Sequence, residues 1–201
     1  MLILPTTYLP DIEYVARLLQ AEGDYCIDVG EHFIKRSVRN RAQIMTANGV
    51  LDLTVPVVNA NRPKTAMRTM HIDYSKSWQH QHWVAILSAY RSSPYFEMVA
   101  ERLEPFYKSK YDSLVEYNLG ILRVLLDFIG YTSPLNISNS YIEATEEDVD
   151  LRPKKRATNI STPQYFQLFS DRMPFAENLS VLDLIFSEGL GTKEYLYSCP
   201  L

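Results

Sequence analysis

Phe33–Val57 reads FIKRSVRNRAQIMTANGVLDLTVPV, and its second half decides the fold. Asn48-Gly49 is a tight-turn signal, because both residues tolerate a positive φ. Beyond it, Leu51, Leu53, Val55 and Val57 alternate with Asp52, Thr54 and Pro56, the pattern of a half-buried strand. A β-hairpin around Asn48-Gly49 follows, with residues 41–47 as its first arm. The first half is cationic: Lys35, Arg36, Arg39 and Arg41 lie within seven residues with no acid among them. Carried back along the strand, period-two alternation places Arg39 and Arg41, and with them Lys35, on one face. As a helix, Lys35 and Arg39 share a face and Arg41 does not.

Upstream, residues 2–4 read as a short buried strand. Pro10 and Asp11 lead into a helix whose stripe is Ile12, Val15, Ala16 and Leu19, with Gly23 placed to end it. Tyr25–Val29 is a second strand, so the chain opens strand–helix–strand. Downstream, Met70–Asp73 is a short strand. A helical half then runs from 77 to 130. Its first helix carries Trp83, Ile86, Leu87 and Tyr90. The second carries Phe96, Val99, Ala100, Leu103 and Tyr107, and Pro105 is expected to end or kink it. The third spans 112–129, with Val115, Leu119, Leu122, Leu126 and Ile129 as its stripe and Gly130 closing it. Residues 143–156, EATEEDVDLRPKKR, read as a solvated loop. A weak strand over Tyr165–Phe169 follows, then a helix opened by Ser180, with Asp183 in capping-box position. The predicted fold is α/β, one domain over 1–201, with a mixed sheet and a helical half.

The 201 residues are 46% hydrophobic and 22% charged, the balance of a soluble globular chain, and the net charge of −4 argues against a general nucleic-acid binder. No apolar run reaches the length of a membrane span, and the N-terminus lacks the features of a signal peptide. Two distant cysteines without an export signal fit reduced thiols and a cytoplasmic protein.

A local basic segment in an acidic chain fits a small anionic ligand. Guanidinium groups grip phosphate or carboxylate bidentately, so Lys35, Arg36, Arg39 and Arg41 are candidate ligand cations, with Asn40 beside them. The competing reading is a solvated strand face with salt bridges to Glu31 or Asp28. His82 titrates near neutrality and is a candidate acid/base, although a histidine bonded at a helix interface is the plainer role. His80 and His82 stand two residues apart and point in nearly opposite directions on a helix, so no metal site is expected. The aromatic residues (14 Tyr, 8 Phe, 2 Trp) fall mostly on helix stripes and read as core, with Tyr90 kept as a candidate ligand contact. There is no G-x-G-x-x-G, P-loop, G-x-S-x-G or Cys-x-x-Cys, so no cofactor is called for.

These residues also carry a resemblance. Tyr8-Leu9-Pro10 with Tyr14, the Lys35–Arg41 segment, Asn48-Gly49 leading to Leu53–Val57, and Trp78–Trp83 together resemble the WbqC-like proteins. Ser88-Ala89-Tyr90, Pro94-Tyr95-Phe96, Pro105-Phe106-Tyr107 and Asn178–Phe186 extend the likeness, which is to a short form found in Bacteroidetes-type bacteria. The resemblance implies surface-polysaccharide (O-antigen-type) biosynthesis. The chain would be a transferase-like protein holding a nucleotide-activated sugar or acyl donor through the basic segment. The alternative is a non-catalytic ligand- or protein-binding component of an assembly system. One departure stands out. Many members carry His-Gln-Pro-Asn-Tyr-Leu-Pro where this chain has Leu4-Pro5-Thr6-Thr7-Tyr8-Leu9-Pro10. If that histidine is catalytic in the family, this chain binds without catalysing. Residues 132–160 also do not match the extra segment of longer members.

Overall fold

Asn48-Gly49 and the alternation around it form the expected hairpin, in a form suited to a right-handed strand twist. In the computed structural model, which describes residues 1–60, 64–153 and 161–201, Arg41–Thr46 pairs antiparallel with Gly49–Thr54, and Thr46 faces Gly49. Gly49 takes the left-handed backbone at φ +100° while Asn48 stays at negative φ. That is a two-residue turn followed by a left-handed residue, so glycine is needed at 49 rather than at both positions.

The elements run β1 (Leu2–Pro5), α1 (Ile12–Gln20), β2 (Tyr25–Asp28), β3 (Arg41–Thr46), β4 (Gly49–Thr54), α2 (Trp78–Tyr90) and α3 (Phe96–Lys108). They continue with α4 (Leu114–Ile129), β5 (Val149–Asp150), α5 (Val181–Glu188) and α6 (Thr192–Ser198). The fold is α/β. β1 is the centre of a parallel sheet in the order β2-β1-β5, and β3-β4 stands apart as an antiparallel pair. All four residues of β1, Leu-Ile-Leu-Pro, are buried, as befits a strand covered on both faces.

Helix boundaries follow their caps. Asp11 caps α1 by accepting the Tyr14 N–H, Ser113 caps α4 by accepting that of Glu116, and Gly130 closes α4 at φ +82°. Apolar faces of α1, α2, α4 and α5 join the strands in a cluster that includes Leu4, Ile12, Ile44, Ile86, Leu122 and Phe186.

Several expectations need correction. Residues 143–156 are not a free loop, because Val149–Asp150 pairs with β1 and Leu151 and Arg152 are buried; Lys154, Lys155 and Arg156 lie outside the described residues. Met70–Asp73 forms only isolated bridges, His71 to Ser113 and Ile72 to Val57. Tyr165–Phe169 is not a strand; Gln167 instead ties this segment to both the N–H and the carbonyl of Ala176. α3 runs through Pro105 to Lys108, and the Pro105 carbonyl accepts the Ser109 N–H. Asp183 does not close a capping box. It accepts the hydroxyls of Tyr90 and Tyr165, each at 2.7 Å.

Candidate functional site

A parallel sheet presents its ligand-binding crevice beyond the carboxyl ends of its strands. Here the chain leaving β1, Thr6–Asp11, meets the basic segment 34–41 and the loop 178–180. Backbone bonds stitch the three together: Tyr8 N–H to Val38 O, Ile12 N–H to Leu179 O, Val181 N–H to Pro10 O and Ser180 N–H to Gln43 O, all 2.8–3.0 Å. Between them lies a cleft of about 210 Å³, lined by Thr7, Leu9, Asp11, Arg36, Arg41, Gln43, Asn178 and Ser180 among others.

Three of the cleft's residues hold the left-handed backbone: Leu9 at φ +44°, Arg36 at +52° and Asn178 at +51°. Only three other non-glycine residues among those described do so: Glu22, Asn59 and Lys64. For a leucine this conformation costs on the order of 1–2 kcal/mol. Asn178 offsets its own cost in part, since its Oδ1 accepts the Glu13 N–H at 2.8 Å. Strain of this kind collects where a fold holds groups for a ligand.

The basic segment is not a strand before residue 41; residues 35–40 are successive turns, and its cations part company. Arg39 and Arg41 do not share a face. Arg39 is buried, gripping Glu31 through Nε (2.9 Å) and Nη2 and reaching the Arg152 carbonyl and the Ser37 hydroxyl. This is the salt bridge to Glu31 that stood as the competing reading. Asn40 is buried too, its Nδ2 donating to Val55 O. Arg41 is half-exposed, paired with Asp52 at 3.1 Å, and its Nε has no partner among the described residues. Arg36 is exposed and has no ion pair among the described residues. Lys35 is exposed and lines a neighbouring cleft with Arg36 and Arg41.

His82 and Tyr90 lie elsewhere. His82 accepts or donates at Nδ1 to the Tyr8 hydroxyl, 2.8 Å away, and bonds the Thr54 carbonyl. It packs against the Trp78 and Tyr8 rings. Burial holds its pKa down to about 4, against the opposing effect of the Thr54 bond, so it is neutral at pH 7. Tyr90 donates to Asp183 and accepts the Met45 N–H. Neither residue lines the Arg36–Arg41 cleft.

A second charged group spans the two outer strands of the same sheet, and little in the local sequence signals it. Asp28, at the end of β2, accepts Arg152 Nη1 at 2.5 Å, and Asp150, in β5, grips the same guanidinium twice. Glu31 and Arg39 adjoin them in a cleft of about 240 Å³. Burial pushes Glu31 up to about 7 even though Arg39 pulls the other way. Thr7, Asp11 and Gln43 were also missed as cleft residues. A threonine pair directly after the first strand is the available signal for Thr7; Asn178 and Ser180 join only through the tertiary fold.

Among the described residues, no helix is long and apolar enough to cross a membrane, and no group of three His, Cys, Asp or Glu side chains is placed to hold a metal ion. The chain is 26% identical over 226 residues to a protein of Mycobacterium tuberculosis described as uncharacterized protein Rv1507c, covering 98% of this chain and 97% of that one. No solved structure matches it. The model of the WbqC-like protein family matches residues 6–163. That span takes in the post-β1 loop, the basic segment and the hairpin, and stops short of Asn178–Phe186. The chain belongs to the WbqC-like protein family.

Proposed function

We propose that this protein serves surface-polysaccharide biosynthesis by binding an activated sugar or acyl donor, and that the anionic group of the donor sits between Arg36 and Arg41. The observation that carries the reading is the convergence of Leu9, Arg36 and Asn178, all in left-handed backbone, on a polar cleft lined by both arginines. Thr7, Gln43 and Asp11 supply the hydroxyl, amide and carboxylate chemistry that suits a polyol beside the anion. Lys35, exposed in the lining of the neighbouring cleft, assists by charge. Arg39 acts as scaffold, since the bonds above occupy its fork, while in Asn40 only the amide nitrogen is so occupied.

His82 and Tyr90 also belong to the scaffold in this reading, and the cleft binds without a histidine acid/base. That agrees with Leu4 and Pro5 standing where many relatives have His-Gln. The setting is the cytoplasm, where activated sugars are made.

The test is a thermal-shift screen of nucleotide sugars, acyl-CoAs and inorganic pyrophosphate on wild type and on Arg36→Gln/Arg41→Gln. A ligand at 100 times its Kd adds about 2.7 kcal/mol, or about 5–10 °C for a chain of this size. The proposal expects that shift in wild type and its loss in the double variant. An undiminished shift in the variant would sink it.

A further inference from the structure

Arg36 and Arg41 line two clefts, one on either side of them. The second, of about 270 Å³, differs in character: Phe33, Pro56, Val57 and Ala60 give it apolar walls, and Asn40 lies in its lining. Asn40 is only 6% exposed, and its Nδ2 donates to the Val55 carbonyl, which fixes the amide so that Oδ1 is the free acceptor. That oxygen is buried and has no hydrogen-bond partner among the described residues, nor has the Nε of Arg41. Buried polar atoms left unsatisfied are costly, and those in a native cleft call for a ligand group.

From this juxtaposition we infer that the ligand is a nucleoside diphosphate derivative whose base enters the apolar cleft. Its phosphates lie on the Arg36–Arg41 ridge, and its sugar or other transferred group occupies the polar cleft. The inference rests on the ligand reading proposed above and adds the substrate class to it. A nucleobase fits because it is planar and apolar on its faces, yet carries N–H donors on its edge. The faces suit Phe33 and Pro56, and one edge N–H suits Asn40 Oδ1. A pantetheine arm also carries N–H groups, but it has no ring to lay against Phe33 and ends in a flexible chain. The clefts share a cationic wall, so one molecule with an anionic middle and unlike ends can occupy both.

The test compares inorganic pyrophosphate, UDP, CDP, GDP, ADP and coenzyme A by titration calorimetry on wild type and Ala60→Leu. The leucine adds bulk to the apolar wall of this cleft at Ala60, where the base would lie. At least one nucleoside diphosphate should bind wild type tenfold or more tighter than pyrophosphate. Ala60→Leu should erase that advantage and leave pyrophosphate binding unchanged, which also shows that the variant is folded. Phe33→Leu should weaken the same nucleotide in part, through lost ring contact.

If pyrophosphate binds but no nucleoside diphosphate binds better, the base has no cleft and the inference is overturned, while the ligand reading survives. An advantage untouched by Ala60→Leu overturns it as well. Coenzyme A is itself an adenosine diphosphate derivative, so tight coenzyme A binding that Ala60→Leu weakens supports the base cleft, whereas tight coenzyme A binding that Ala60→Leu leaves intact overturns the inference. If neither pyrophosphate nor any nucleotide binds wild type, the ligand reading fails and the inference fails with it.

Discussion

Arg39→Met removes one partner from the buried pair with Glu31, whose side chains are 1% and 3% exposed. Deleting one member of such a pair costs about 3–5 kcal/mol, because the partner's charge stays buried without compensation. At about 2–4 °C per kcal/mol for a chain of this length, the melting temperature should fall by about 6–20 °C at pH 8. The loss should depend on pH. Burial already pushes Glu31 up to about 7 with Arg39 in place, and removing the guanidinium pushes it higher. At pH 5 Glu31 is protonated in both proteins, so the substitution costs packing and Arg39's bonds to Ser37, the Arg152 carbonyl and the neutral Glu31 carboxyl, but strands no buried carboxylate. Thermal and urea unfolding at pH 5 and pH 8 measure both figures. Arg39→Met/Glu31→Leu, which leaves no buried charge, should recover most of the loss. A fall of less than 2 °C at pH 8, or equal losses at both pH values, would refute the structural role given to Arg39.

Three further substitutions probe the frame of the site. His82, held down to about 4, leaves the unfolded chain binding more protons between about pH 4 and 6.5, so its contribution to stability is lost as pH falls through that window. Glu31, raised from 4.5 to about 7, works the other way: the folded chain holds the extra proton, and stability falls as pH rises through 4.5–7. Each amounts to about 3 kcal/mol over its window, so wild type should be nearly flat from about pH 4.5 to 6.5 in urea midpoint. His82→Gln and Glu31→Gln should unmask opposite slopes, and flat profiles in both variants would contradict the assignment. At Gly30, a Cβ would sit 2.1 Å from the Tyr141 nitrogen and 2.4 Å from the Ser140 carbonyl carbon. Gly30→Ala should therefore lift residues 140–142 off β2 and break the Ile142 bonds to Asp28 and Arg152. Limited proteolysis between 139 and 150 should accelerate about tenfold, as for a local loss of about 1.4 kcal/mol; an unchanged rate would show that the segment is held elsewhere.

How far the sequence carries the reader differs from element to element. The hairpin is legible because turn chemistry at Gly49 and a period-two pattern agree over adjacent residues. α4 is legible because sixteen residues repeat one apolar stripe between a serine cap and a glycine. β5 is not, since two residues inside an acidic run carry no period, and it pairs with a strand near the other end of the chain. Arg152 looks like part of a solvated basic run, yet its partner Asp28 lies 124 positions away, a distance no local pattern spans. Arg39 defeats alternation for another reason: the chain turns through 35–40, so strand phase does not reach back to it. The candidate cleft was half legible. Arg36 and Arg41 stand out by charge and Thr7 by its place directly after the first strand, while Asn178 and Ser180 reach it only when the 178–180 loop is laid across α1 and β3.

The most direct measurement follows the arginine side chains themselves. In ¹H–¹⁵N spectra of the Nε–H groups, assigned with Arg→Lys variants, pyrophosphate should shift Arg36 and Arg41 in a saturable way and leave buried Arg39 in place. Shifts at Arg39 without Arg36 and Arg41, or no saturable shift at any of the three, would contradict the claim that Arg36 and Arg41 form the anion site.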